Sequence, residues 1–227
     1  MNHLHFKTIQ STQDYLRQQE ANKAEDTIIS CDQQTQGHGQ RSNKWDADEN
    51  TLCLSFTLEP NEQLSLTSLE VGVLLTQYFS QNHAIELKLK WPNDILTSNR
   101  EKVAGILIHN ANDRLIVGVG INYFKRKQKV INDKYHLEYG HLFEKSFELD
   151  KMHEAHKIVT FIKKNRISAT DVIQKWNNHC IHLNQKISLV ESELTTQGEF
   201  IGIGAAGEAL IKTSNKINKF YTGSIRF

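Results

Sequence analysis

Two nearly uninterrupted apolar, β-branched segments, Val103–His109 and Leu115–Ile121, constrain this chain more than any other feature. Strands that are apolar on both faces must be covered on both sides, so these two are expected at the centre of a sheet. His3–Ile9, Thr27–Asp32 and Glu86–Trp91 also read as strands. Leu52, Leu54 and Phe56 alternate with Cys53 and Ser55, giving another. Ser11-Thr12 marks a helix start, with Tyr15 and Leu16 on the buried side. A helix over about 65–80 follows from the spacing of Leu66, Leu69, Val73, Leu74 and Tyr78. Met152, Ala155, Ile158, Val159 and Ile162 form another helical stripe, and Ser168 caps a helix carrying Val172, Ile173 and Trp176. Gln33–Asn50 and Phe124–Asp150 have no apolar period, and a polar loop as long as Gln33–Asn50 is more often functional than filler.

Beyond about residue 184 the pattern changes. Lys186–Ser192, Glu199–Gly204, Ala209–Thr213, Lys219–Tyr221 and Ser224–Phe227 read as short strands joined by Gly, Ser and Asn turns. The expected organisation is a mixed α/β domain over 1–184 and a small β-barrel or sandwich over 185–227.

Charge and composition exclude several function classes. Lys+Arg 27 against Asp+Glu 26 leaves +1, without the basic excess of a phosphate-gripping nucleic-acid binder. No apolar stretch approaches the roughly 20 residues of a membrane span. The N-terminal MNHLHFKTIQ lacks a secretory h-region. Cys31, Cys53 and Cys180 are odd in number and far apart, which points to free thiols in a reducing cytoplasm.

Some motifs do not survive their context. Gly202-Ile203-Gly204-Ala205-Ala206-Gly207 matches GxGxxG, but the 20 residues after it read as strands, so a turn run is favoured over a dinucleotide site. The eleven histidines include His153, His156, His179 and His182, with Cys180 nearby, yet none completes a zinc pattern. Lys125-Arg126-Lys127 is read as a solvated run, with a role over a phosphate as the competing reading.

Three stretches are more demanding. Gly37-His38-Gly39-Gln40-Arg41-Ser42-Asn43-Lys44-Trp45 combines glycines, which let backbone N–H groups approach an anion, with cations and an aromatic anchor. Lys88-Leu89-Lys90-Trp91-Pro92-Asn93-Asp94 ends a strand, and a hairpin would bring Lys102 back beside Lys90 and Trp91. A lysine there can present its ammonium to a carboxylate or phosphate while burying its stem. Gly118-Val119-Gly120-Ile121-Asn122 clears one sheet face at alternate positions, where a flat ligand can lie.

Taken in order, these residues resemble the biotin–protein ligases. Lys90-Trp91-Pro92-Asn93-Asp94 matches KWPND, Lys102 to Leu107 matches K-[LV]-A-G-I-L, and Gly118–Asn122 matches G-x-G-I-N. Ser11-Thr12-Gln13, Gln34 and Gly37 to Trp45 match the early Ser-Thr element and the biotin loop. Trp176, Gly202–Ile211 and Thr222 to Arg226 match the approach to the C-terminal domain, its glycine turn and its last strand. The resemblance implies an α+β fold of the class II synthetase-like, biotin–lipoate ligase type, with a small C-terminal SH3-like β-barrel. It implies ATP and Mg2+, biotin as substrate, biotinyl-5′-AMP as intermediate and a biotin carboxyl carrier protein as acceptor. Lys102 and Arg41 would be catalytic. Ser11, Thr12, Gln13, Gln34, Gly37, His38, Gly39, Gln40, Trp45, Lys102, Gly105, Gly118 and Gly120 would bind biotin. Arg41, Asn43, Lys90, Asn93, Asp94 and Asn122 would bind ATP or the adenylate.

The chain departs from the family loop, which usually reads GRGR. His38 and Gln40 replace both arginines and Ser42 a common glycine, which removes charged donors beside an anionic intermediate. The motifs begin at Ser11, leaving no room for the helix-turn-helix of the repressor forms, so DNA binding is not expected. A cytoplasmic monomer or weak homodimer is expected, without membrane. The alternatives are a lipoyl or octanoyl transferase and a non-catalytic biotin-binding regulator.

Overall fold

The computed structural model describes residues 1–20, 26–40, 43–111, 114–126, 137–214 and 216–227. The chain forms two compact units. One comprises Met1–Pro60, Val103–Lys129 and Gly140–Arg166; the other comprises Asn61–Lys102, Val130–Tyr139 and Ile167–Phe227. The C-terminal segment groups with Asn61–Lys102.

In the first unit, strands β1 (Asn2–Ile9), β2 (Thr27–Gln34), β5 (Thr51–Leu58), β9 (Arg114–Asn122) and β8 (Lys102–Ala111) lie in that spatial order. β1 is parallel to β2, and the other three pairings are antiparallel, so the sheet is mixed. The two segments expected to be central are adjacent in it. β5 is buried at all eight positions, so its alternation does not mark a solvent face: both of its faces are covered. Helix α1 (Thr12–Glu20) packs Leu16 against Ile29 and Ile116, with Phe6, Ile9 and Tyr15 around them. Ser11 caps α1 by accepting the Asp14 N–H at 3.2 Å. Helix α3 (Lys151–Lys164) buries Ala155, Ile158, Val159 and Ile162, as its stripe predicts, but Met152 is exposed. Short strands β3 (Gly37–His38) and β4 (Lys44–Trp45) turn part of the expected polar loop into a hairpin.

In the second unit, α2 (Thr67–His83) is apolar around most of its circumference and correspondingly buried. β6 (Lys88–Lys90) and β7 (Asp94–Leu96) form a tight hairpin, with Lys90 opposite Asp94. The Asp171 N–H donates to Ser168, which caps α4 (Ala169–His179) as expected. The expected C-terminal strands form a five-stranded antiparallel sheet, ordered β13 (Ile217–Phe220), β12 (Ala209–Lys212), β11 (Leu194–Ile203), β10 (Lys186–Glu191) and β14 (Ser224–Arg226). The GxGxxG run is the turn between β11 and β12: Gly207 has φ +74°, and its carbonyl accepts the indole N–H of buried Trp91 at 3.0 Å. The three cysteines are free, with Cys31 opposite Cys53 across β2 and β5. Among the described residues no helix is long and apolar enough to cross a membrane.

Candidate active site

In the first unit, the start of α1 and the sheet face beneath it bring together most of the expected ligand contacts. Ser11, Thr12 and Gln13 are all buried. The Thr12 backbone N–H and hydroxyl both donate to the Gln34 side-chain oxygen, at 2.8 and 3.0 Å, and the Thr12 hydroxyl lies 2.8 Å from that of Ser55. The Gln13 amide donates to the carbonyls of Leu107 and Ile116, at 3.0 and 3.3 Å, spanning β8 and β9. The two glycines of β9 have the predicted effect on this face. A Cβ on Gly118 would sit 3.1 Å from the Gln13 amide, and one on Gly120 would collide with the Trp45 indole. The cleared face is thus roofed by Gln13 and Trp45. Gly105 pairs with Gly120 in the same row of the sheet.

The β3–β4 hairpin carries Trp45. Gly37 pairs with Trp45 and His38 with Lys44, while the Gly39 N–H donates to the Asn43 carbonyl at 2.7 Å. His38, expected as a biotin contact, is turned to α1 instead: its Nε2 is 2.6 Å from an Asp14 carboxylate oxygen. The Gln40 carbonyl accepts the Asn43 N–H at 3.1 Å. Arg41, expected to be catalytic, and Ser42 lie outside the described residues, as does Lys127. Asn122 is buried at the end of β9 opposite Thr51. Arg126 corrects the solvated reading of the basic run. Its side chain is almost fully buried, with Nε 3.5 Å from Asp48 and a bond to the Thr51 hydroxyl at 3.1 Å.

In the second unit, the β6–β7 hairpin and the first residue of β8 assemble a charged cluster. Lys102 Nζ is 2.5 Å from one oxygen of Asp94, and Lys90 Nζ is 3.5 Å from the other. Lys90 is 3% exposed and Asp94 12%, while Lys102, at 23%, keeps an open side. Burial pulls the Lys90 pKa down, with the Asp94 carboxylate opposing. Burial would raise the Asp94 pKa, but the ammonium groups of Lys102 and Lys90 outweigh it and hold the carboxyl below its usual range. The Lys102 N–H is fixed to the Glu138 carbonyl at 2.8 Å. Asn93 sits in the turn of the hairpin, after the cis Trp91–Pro92 bond.

Sequence reasoning missed several members of these clusters. Ser55 is one of three buried hydroxyl residues of β5, with Thr51 and Thr57, and a hydroxyl inside a core strand was its signal. Asp14 looked only like a first-turn acid. Lys151 is a buried lysine whose Nζ donates to the Asp32 carbonyl at 2.9 Å, and burial lowers its pKa. Nothing in its helical stripe distinguishes it from a surface lysine. Among the described residues no three His, Cys, Asp or Glu side chains converge to hold a metal.

Comparison with known proteins gives a consistent result. The chain is 27% identical over 223 residues to the bifunctional ligase/repressor BirA of Bacillus subtilis, covering 90% of this chain and 67% of that protein. Identity to BirA of Escherichia coli is 22% over 233 residues, with 96% and 71% covered. Among solved structures, biotin protein ligase from Aquifex aeolicus in complex with biotin and ATP superposes with a TM-score of 0.81 at 27% identity, covering 99% of this chain and 97% of that one. The biotin acetyl coenzyme A carboxylase synthetase of Helicobacter pylori shares the fold, with a TM-score of 0.69 at 20% identity, 96% of this chain and 99% of that one being covered. A family model matches residues 5–122, more than half of the chain, and by that match the chain belongs to the Biotin/lipoate A/B protein ligase family.

Proposed function

We propose that this chain is an ATP-dependent biotin–protein ligase that forms biotinyl-5′-AMP and transfers the biotinyl group to a lysine of a biotin carboxyl carrier protein. The observation that carries the reading is the Asp94 carboxylate held between the Lys90 and Lys102 ammonium groups, which fixes a cation at the mouth of β8. In the first step a biotin carboxylate oxygen bonds to the α-phosphorus of ATP, and the bond to pyrophosphate breaks. In the second, the carrier amine attacks the acyl carbon, loses its proton, and AMP leaves. The first step presses anions together, so a pre-oriented cation lowers its barrier more than a proton shuttle would. Lys102 is assigned that contact, and Asp94 holds its side chain aimed.

Ser11, Thr12, Gln13 and Gln34 are assigned the polar head of biotin. Gly105, Gly118 and Gly120 are assigned the bare sheet face along which its ring and chain lie. Gly37, His38, Gly39, Gln40 and Trp45 form the strap beside it, with Asn43 and, by resemblance, Arg41 toward the adenylate. Lys90, Asn93 and Asp94 are assigned to the nucleotide phosphates, and Asn122 to the adenylate. All of these residues lie within 1–184, so that stretch is assigned the chemistry and 185–227 the small appended barrel. Magnesium is expected with ATP. Among the described residues no donor set builds a site for it, both Asp94 oxygens being held by ammonium groups, and no step here is routed through it.

The test is direct. Purified protein given biotin, Mg-ATP and a carrier domain should release pyrophosphate and label the carrier; neither product at saturating ligand would sink the reading. The family model spans lipoate ligases too, so a melting shift with lipoate but not with biotin would reassign the acyl group. A Gly120→Ala substitution should weaken biotin binding in a calorimetric titration by roughly tenfold, since the new methyl displaces the Trp45 ring at about 1–3 kcal/mol. Unchanged affinity would move biotin off this face.

A further inference from the structure

We infer that His38 and Asp14 are positioning residues that fasten the β3–β4 strap to α1 and thereby set how long the activated acyl-adenylate stays on the enzyme; this rests on the ligase reading. A hairpin of two-residue strands with two paired positions has little stability of its own, so its ties to the body decide whether it stays down. One side-chain tie is at its base, where Gln34 accepts from Thr12 beside the backbone bond from the Gln36 N–H to the Gln10 carbonyl. A second side-chain tie lies within the strap, where His38 Nε2 meets Asp14 Oδ2 at 2.6 Å.

Both ties reach the first turn of α1. Asp14 follows directly on Gln13, the residue over Gly118, and His38 is adjacent to Gly37, which pairs with Trp45, the residue over Gly120. The same pair therefore links the two halves of the roof over the cleared face. The other charged groups around it are Arg17, whose guanidinium is 3.3 Å from the second Asp14 oxygen, and His109, whose pKa is held down by burial and then by Arg17. Arg17 occupies one carboxylate oxygen and leaves the other for His38.

The experiment follows release of preformed biotinyl-5′-AMP carrying a radiolabelled biotinyl group after a chase with excess unlabelled biotin and ATP. For a half-exposed pair, His38→Ala and Asp14→Ala should each speed release about three- to fivefold. The double variant should release no faster than either single one. His38→Arg, which keeps an N–H donor opposite Asp14, should restore slow release. His38→Ala leaves α1 intact, which separates the tie from any loss of helix in Asp14→Ala. Release at the wild-type rate in His38→Ala, or fully multiplicative effects in the double variant, overturns the inference alone. Absence of adenylate in the wild-type protein overturns it together with the ligase reading.

Discussion

Lys102→Ala is expected to slow adenylate formation by about 10²–10³-fold, the usual loss when one pre-oriented electrostatic donor is removed from a developing anion. The structure gives the reason. Lys102 sits at the start of β8, with its backbone tied to Glu138 and its ammonium 2.5 Å from Asp94, so the cation is held without further ordering when substrates arrive. Removing it also leaves Asp94 with the more distant Lys90 as its cationic partner among the described residues, so a modest fall in melting temperature should accompany the loss. Lys102→Arg should recover only part of the rate, since a planar fork cannot reproduce a point charge in the same place. The measurement is pyrophosphate release in the absence of carrier, which isolates the first step. A rate within a few-fold of wild type in the alanine variant would remove Lys102 from the chemistry.

The second large effect is on acid stability. His182 is fully buried, and neither of its ring nitrogens has a hydrogen-bond partner among the described residues. Its ring lies 4.3 Å from that of Phe200, edge to face, and 5.3 Å from that of Phe227, stacked. Burial, followed by the charge of Lys90, lowers its pKa from 6.5 to about 3. The folded chain therefore refuses a proton that the unfolded chain accepts below pH 6.5. The stabilisation is fully present above that pH and is lost progressively as pH falls from 6.5 to 3. At roughly 1.4 kcal/mol per pKa unit, the full loss is about 4–5 kcal/mol. His3, lowered to about 4 by burial and by neighbouring His156 and His5, acts in the same direction, but its partial exposure reduces its share. Denaturant melts at steps between pH 7 and 4 should show stability falling throughout. His182→Leu, which fills the same apolar space, should flatten the curve. An equally steep acid limb in that variant would assign the loss to other groups, such as the carboxylate of Asp94, which titrates lower.

Much of this was legible before any coordinates. Val103–His109 and Leu115–Ile121 announced themselves because continuous β-branched runs have few alternatives to a covered sheet. The two motif lysines, the glycine pair and the Ser168 cap were local patterns, and local patterns are what a sequence displays. What stayed hidden depends on contacts between distant positions. β5 alternates small and large residues yet is buried on both faces, because helices cover both sides of its sheet. Met152 fits the stripe of α3 but falls at its first turn, beyond the edge of the sheet-facing surface, and is exposed. Arg126 lies in a basic run and nevertheless folds back onto residues 46–51, 75 positions away from Thr51 in the chain. Ser55, Asp14 and Lys151 gain their meaning only from Thr12, His38 and Asp32, and no periodicity connects those pairs.

The bond from the Trp91 indole to Gly207 has a practical corollary for anyone wishing to shorten this molecule into a compact labelling reagent. Cutting after the last helix would delete the acceptor for a buried donor, one residue after Lys90 and three before Asp94 in the chain. The distortion would fall on the hairpin that aims Asp94, so the terminal sheet is structural support for the chemistry and should be kept in any minimal version.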